Sequence, residues 1–255
     1  MLKTDQLEAL FEQRALLDVE QPADDPVAPA ALPDVSLAFL VSLAKASGAK
    51  SVFEFGSGRS TAALLSAGLT VLSVEDSAHW MAETRKQIGT AANHRPLVKP
   101  LSTRWWHGTP FLDWHLDAEL TASLRSADII LIDSPYYPPF RESTLLSALS
   151  ASSHALIVLD DTRIPTLERF CNRIAHRNPS LLHRRVRVGH CFDIFCRVDE
   201  TPIDSRCGLV EVLKGWRRFL IGRNWLRRSA IEATASLALA ESATPPQDLR
   251  SRVRE

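Results

Sequence analysis

The chain has 255 residues, 45% of them hydrophobic and 24% charged, and its formal net charge is +0. That size suits one large domain with extensions, and the balanced charge gives no global field that would draw in nucleic acid. No apolar run reaches bilayer-spanning length, and the acidic, amphipathic start "MLKTDQLEALFEQRALLDVE" is unlike a secretory signal.

Residues 4–18 carry Leu7, Leu10, Phe11 and Leu17 at helical spacing. The proline-rich "EQPADDPVAPAALPD" then reads as a linker or extended arm, so 1–33 forms an N-terminal extension. Asp34 is placed to cap a helix bearing Leu37, Leu40, Val41 and Ala44, with Gly48 at its end. From there short apolar runs alternate with helical stretches. The runs are "SVFEF", "LTVLSVE", "PLVKPLS", "ADIILID" and "HALIVLD", several of them almost continuously apolar, as strands covered on both faces would be. The helices between them are predicted over 60–67, closed by Gly68, over 77–88, around 116–124 and over 142–149. A further one after Pro165 aligns Leu167, Phe170, Cys171 and Ile174. This alternation predicts an open α/β sheet with right-handed crossovers. In "LLHRRVRVGHCFDIFCRVDE" only "GH" separates two alternating runs, which predicts an antiparallel hairpin. Cys171, Cys191, Cys196 and Cys207 form no CxxC pair and no zinc spacing, and read as reduced thiols of a cytoplasmic protein.

The stretch "SVFEFGSGRSTAALL" joins a strand to a helix through Gly56 and Gly58, a ligand cradle at the carboxyl edge of a sheet. A dinucleotide fingerprint needs a third glycine where Thr61 stands, and Glu54 matches a cation such as an ammonium group better than a phosphate. Ser60 or Thr61 can cap the helix that follows.

These residues resemble the first motif of the class I S-adenosylmethionine-dependent methyltransferases, an acid followed by GxG, here "EFGSG". The resemblance covers roughly 34–198, within a domain expected over 34–200, and implies a Rossmann-like, doubly wound, seven-stranded, mostly parallel sheet ending in the antiparallel hairpin. It implies S-adenosyl-L-methionine as cofactor, with Glu54, Gly56, Ser57, Gly58 and Ser60 around its methionine end. Glu75, in "VLSVEDSAHW", would hold the ribose hydroxyls, with Asp76 beside it and better placed to cap the next helix. Arg59 departs from the family, whose members commonly have glycine there.

Methyl transfer needs an aligned acceptor and removal of its proton. "IILIDSPYYPPFR" places Asp133 at a strand end, and "LIVLDDTR" places Asp160 and Asp161 at the next. The trio resembles the site of small metal-dependent O-methyltransferases of the catechol and caffeoyl-CoA type, implying Mg²⁺ or another divalent cation on Asp133, Asp160 and Asp161. Asp161 stands where that group has an amide, and Tyr136 where the catechol enzymes have lysine. Alternatively one aspartate acts as base and the others hold loops; Asp133, Asp161 and Tyr136 are the catalytic candidates, and Asp133 also borders the cofactor. Arg141 and Arg163 either hold an anionic acceptor or pair with the aspartates. In "STRWWHGTPFLDWH" the rings of Trp105, Trp106, His107, Trp114 and His115 either face adenine and acceptor or pack as satellite core.

The expected activity is O-methylation of a small molecule or sugar. The other classes are a nicotinamide-dependent oxidoreductase and a non-catalytic relative that keeps the pocket. Residues 201–255 form a helical extension with a tail expected to be disordered. There "GLVEVLKGWRRFLIGRNWLRRS" combines Leu209, Leu213, Trp216 and Leu220 with Lys214, Arg217, Arg218, Arg223, Arg227 and Arg228. Such a helix lies on an anionic membrane or docks on the domain or a second copy; Gly215 and Gly222, expected to interrupt it, favour docking.

Overall fold

The apolar runs in the middle of the chain become the strands of one sheet. A computed structural model describes residues 32–135 and 137–224; the helix expected over 4–18, most of the proline-rich arm, Tyr136, Arg227, Arg228 and the tail lie outside the described residues. In chain order the strands are β1 (Ser51–Phe55), β2 (Thr70–Glu75), β3 (His94–Val98), β4 (Leu101–Trp106), β5 (Thr109–Trp114), β6 (Ile129–Ile132), β7 (Leu156–Leu159), β8 (Leu181–Val186) and β9 (Phe192–Arg197). The helices are α1 (Asp34–Ser47), α2 (Arg59–Ser66), α3 (Ala78–Ile88), α4 (Ala118–Ser126), α5 (Arg141–Ala151), α6 (Pro165–Arg177) and, over 209–224, α7; a 3₁₀ turn covers Pro138–Phe140.

The seven-stranded sheet has the order β3-β2-β1-β6-β7-β9-β8. Its strands run parallel from β3 through β7, and β9 is antiparallel to both β7 and β8. This is the α/β sheet that the alternation predicted, with the final hairpin inserted at its edge. Strand order reverses beside β1, where open α/β sheets bind ligands.

Alternation along each strand feeds two cores. Val52, Val71, Ile129, Leu131 and Val158 meet Phe39, Leu40 and Leu43 of α1 on one face. Phe53, Phe55, Ile130, Ile132 and Ile157 meet α4, α5 and α6 on the other. Leu167, Phe170, Cys171 and Ile174 are the buried residues of α6, as their spacing predicted. Double coverage explains why the runs read as continuously apolar.

Several local expectations shift. Pro33, not Asp34, precedes α1; Asp34 is its first helical residue and holds the Arg59 guanidinium, while Gly48 ends the helix at φ 68°. Ser77, not Asp76, caps α3, its side chain accepting from Trp80 N at 3.1 Å. "PLVKPLS" is not one strand: β3 ends at Val98 and β4 starts at Leu101. The ring-rich segment is a β4–β5 hairpin turning at His107 and Gly108, both at positive φ, as a type I′ turn needs. Val186 pairs with Phe192, so the last hairpin loop spans 187–191 and not just "GH".

Helix α7 docks on the β4–β5 hairpin and the 3₁₀ turn, and it runs unbroken through Gly215 and Gly222, the residues expected to interrupt it. The two glycines serve as points of close approach. A Cβ on Gly215 would lie 2.1 Å from Thr109 Cγ2, and one on Gly222 would lie 2.5 Å from Phe140 Cζ. Trp216 Nε1 donates to Gly108 O at 3.0 Å, and Arg218 pairs with the buried Glu142 carboxylate. Glycine to alanine ordinarily stabilises a helix by about 1 kcal/mol. Here Gly215→Ala is expected to do the reverse, because buried Thr109 is β-branched and cannot swing aside. Hydrogen exchange over 209–224 should accelerate in this variant and stay unchanged in Leu213→Ala, whose side chain is exposed.

Candidate functional site

The carboxyl ends of β2, β1, β6 and β7 lie side by side and present, in that order, Glu75, the glycine loop, Asp133 and the Asp160–Asp161 pair. Gly56 N donates to Val74 O and Asp133 N to Phe55 O, both at 2.9 Å, which joins the loop to its neighbours on either side. Gly56 has φ 97°, and a Cβ there would lie 3.0 Å from Ser134 Cβ, so this position accepts only glycine. Gly58 precedes α2, and its N donates to Thr61 Oγ1 at 2.9 Å.

Glu54 is not at the cleft surface. Strand alternation places it on the Val52 face, beneath the first turn of α2, with no exposed surface. Ser60 Oγ and Thr61 Oγ1 donate to its two oxygens, and Ser73 Oγ donates at 2.9 Å. Burial raises its pKa against these three hydroxyls. The expected ammonium contact of Glu54, and the cap or ligand contact of Ser60, are therefore replaced by a brace that fixes the loop from behind.

Glu75 ends β2 and is tied from both sides. Its Oε2 accepts from Ser57 N at 3.0 Å and Ser57 Oγ at 3.2 Å; its Oε1 accepts from Asp76 N at 3.0 Å and Ser77 N at 3.1 Å. Burial, followed by the Asp76 charge, raises its pKa to about 7. A carboxylate has about four acceptor positions, so these donors fill it. The Ser57 hydroxyl also lies 3.3 Å from Thr84 Oγ1; turning toward Thr84 would free one position on Glu75 for a ligand hydroxyl. Trp80, unassigned by the sequence reading, donates its indole N–H to Ser57 O and lies 3.6 Å from a Cβ built on Gly58. Its position in the first turn after the Ser77 cap is the signal that placed it over the loop.

On the other side Arg141, only 3% exposed, lies among the three aspartates. Its Nη2 is 3.2 Å from Asp133 Oδ1, and its Nη1 is 3.1 Å from Asp161 Oδ2 and 3.7 Å from Asp160 Oδ2. Its Nε donates to Pro135 O at 3.2 Å. Asp161 turns toward the group through a left-handed backbone at φ 61°, which aspartate tolerates. Burial raises the Asp133 and Asp161 pKa values; Arg141 opposes this, and the neighbouring carboxylates add to it. The antiparallel β7–β9 pairing also brings loop 187–191 to this edge. There His190 Nδ1 lies 3.6 Å from Asp160 Oδ2 and 3.5 Å from Asp161 Oδ1. These contacts, Asp160 first, hold the His190 pKa above its ordinary value.

The divalent cation expected on Asp133, Asp160 and Asp161 does not fit these residues. The space between the carboxylates already holds the Arg141 guanidinium. Among the described residues the ligand atoms that come within 4.8 Å of one another belong to Asp160, Asp161 and His190, without Asp133. Of the two flanking arginines, Arg141 is buried and paired, while Arg163 is exposed. Of the tryptophans and histidines in the ring-rich segment only Trp114 is fully buried, while Trp105, His107 and His115 are exposed. Trp114 is fully buried against Phe55 at 5.0 Å, Trp105 meets Trp216 at 5.4 Å, and His107 contacts Ser205.

No family model and no curated protein matches this sequence. Among solved structures the chain is similar to the SAH-bound methyltransferase PaMTH1 of Podospora anserina. That match has 14% identity over 77% of this chain and 88% of that one, with a TM-score of 0.53. It is also similar to a methyltransferase from Geobacter sulfurreducens, with 16% identity over 72% of this chain and 95% of that one and a TM-score of 0.51. At such identities the likeness establishes the fold, which is that of the class I methyltransferases.

Proposed function

We propose that this fold carries S-adenosyl-L-methionine-dependent methyl transfer to an oxygen of a small acceptor. The observation that supports it best is the pairing of a glycine-only turn at Gly56 with an acid on the adjacent strand end, Glu75, at the point where strand order reverses. The PaMTH1 structure contains SAH on the same fold.

When bound, the cofactor supplies an electrophilic methyl group. The chain's own residues bind, orient and remove a proton. Gly56 lets the turn pack closely against Ser134 at positive φ, Glu54 braces the turn, and Glu75 accepts from ribose hydroxyls once the Ser57 hydroxyl turns away. Trp80 covers the outer side of the loop. At the acceptor end Asp133, with 24% of its side chain exposed, accepts the proton; a raised pKa brings a carboxylate base nearer neutral pH. Arg141 keeps Asp133 and Asp161 in place and offsets part of their charge. Proton removal by Asp133 requires no metal, since the Arg141 guanidinium occupies the space between the carboxylates.

Calorimetry with SAH and NADH tests the reading. Binding of SAH with no response to NADH is expected; NADH binding alone would replace it with the oxidoreductase reading. A pH dependence follows from Glu75, which accepts hydroxyl hydrogen bonds best when ionised. SAH affinity is expected to rise from pH 6 to pH 8, changing by up to about tenfold per unit below the Glu75 pKa near 7. A flat profile between those pH values would remove Glu75 from the binding surface.

A further inference from the structure

The docked helix α7 buries one side, and among the described residues nothing covers the other. Leu209, Leu213, Trp216 and Leu220 recur at i, i+4, i+7 and i+11 and so form one line along its outer face. All four are exposed, Leu213 by 62% and Leu220 by 55%, and Val210 and Ile221 widen the line. Trp105, 58% exposed on β4, extends it through its edge-on contact with Trp216. A continuous apolar surface of this kind marks an interaction site.

Charge on the same helix selects the partner. The exposed ionisable residues of 209–224 are Lys214, Arg217 and Arg223, all basic. At about 100° per residue, Arg217 and Lys214 flank the apolar line on one side and Arg223 on the other. The acid of this helix, Glu211, is only half-exposed and lies 3.9 Å from Arg173. A two-fold pairing of this face with a second copy would set these basic flanks against each other without acids to answer them. An anionic surface meets both requirements at once.

We propose that the outer face of α7, with Trp105, docks this protein on membranes carrying anionic lipids. The apolar line enters the boundary between headgroups and chains, and Lys214, Arg217 and Arg223 meet the lipid charges. The inner side of the same helix touches Tyr137, Phe140 and Glu142, next to Arg141. Docking therefore holds the Asp133–Arg141 edge about one helix diameter, roughly 10 Å, from the lipid surface. It favours an acceptor that is itself lipid-linked or amphiphilic. The surface binding stands apart from the methyl-transfer reading; only the acceptor's class rests on it.

Co-sedimentation of the full chain with lipid vesicles tests the proposal without any assay of activity. The expected result is binding to phosphatidylcholine vesicles containing about 30% phosphatidylserine, at least about tenfold weaker on pure phosphatidylcholine and weakened by high salt. Leu213→Glu with Leu220→Glu should reduce binding by at least about tenfold while leaving SAH affinity and circular dichroism unchanged. Lys214→Glu with Arg217→Glu should remove the preference for anionic vesicles. Failure to bind either vesicle would overturn the proposal, as would equal binding by the leucine variant. So would a concentration-dependent dimer that the leucine substitutions dissolve, since a second copy would then cover the face. Loss of SAH binding with retained vesicle binding would instead overturn the methyl-transfer reading alone.

Discussion

Replacing Arg141 with alanine is expected to cost about 3–5 kcal/mol of stability, the range for breaking a buried ion pair by removing one partner. For a chain of this size that lowers Tm by roughly 10 °C. The reason is the company the guanidinium keeps: it contacts Asp133, Asp160 and Asp161, and Asp160 is only 1% exposed. Without it, His190 and the more distant, exposed Arg163 remain to offset part of their charge. The sign of the pH dependence follows. Asp133 and Asp161 have pKa values raised above the unfolded value of 3.8, so the stability they contribute is present below that value and is lost as pH rises through the folded values. Removing Arg141 raises those folded values further. The deficit of the variant should therefore be largest near pH 8 and shrink toward pH 5, which thermal unfolding at the two pH values will measure. Arg141→Lys keeps the charge but not the fork, and should fall between. The wild-type Tm should not respond to chelator or to added Mg²⁺; a rise with Mg²⁺ that Asp161→Asn abolishes would restore the metal reading.

Glu75→Ala is expected to weaken SAH binding by about 100-fold or more, read by calorimetry. Hydrogen bonds to a charged group contribute about 1.5–3 kcal/mol each, and each 1.4 kcal/mol is tenfold in Kd. Two effects combine. The ligand loses its acceptor, and Ser57 N, Asp76 N and Ser77 N lose theirs, so the loop and the start of α3 lose their common anchor. Glu75→Gln separates them: it keeps an acceptor oxygen for the backbone but loses the charge, and should retain most of the stability with an intermediate affinity. Unchanged affinity in Glu75→Ala would place the ligand elsewhere.

The elements that were legible in the sequence rest on local rules. Leu167, Phe170, Cys171 and Ile174 share a helix face because 3.6 residues make a turn. "ADIILID" and "HALIVLD" are continuously apolar because both sides of β6 and β7 are covered. The β4–β5 hairpin also had a local signal, His107-Gly108 between two alternating runs, but the segment reads only as a long connection whose rings either meet a ligand or pack. Both helix starts fall one residue from the expected caps: Ser77 rather than Asp76 supplies the capping oxygen of α3, and α1 starts after Pro33 with no side-chain cap at all.

The glycine turn at Gly56, the acids ending β2, β6 and β7, and the terminal hairpin followed from the sequence alone. Each depends on the sterics and hydrogen bonding of a few consecutive residues. Tertiary structure decided which of these groups face each other. Glu54 turned inward because its strand parity matches Val52, and His190 reached Asp160 because β9 pairs with β7. Arg141 became the cation among three aspartates because α5 starts beneath the ends of β6 and β7. Those contacts join residues far apart in the chain, and their strength comes from removal of water by the packed fold, which no local pattern encodes.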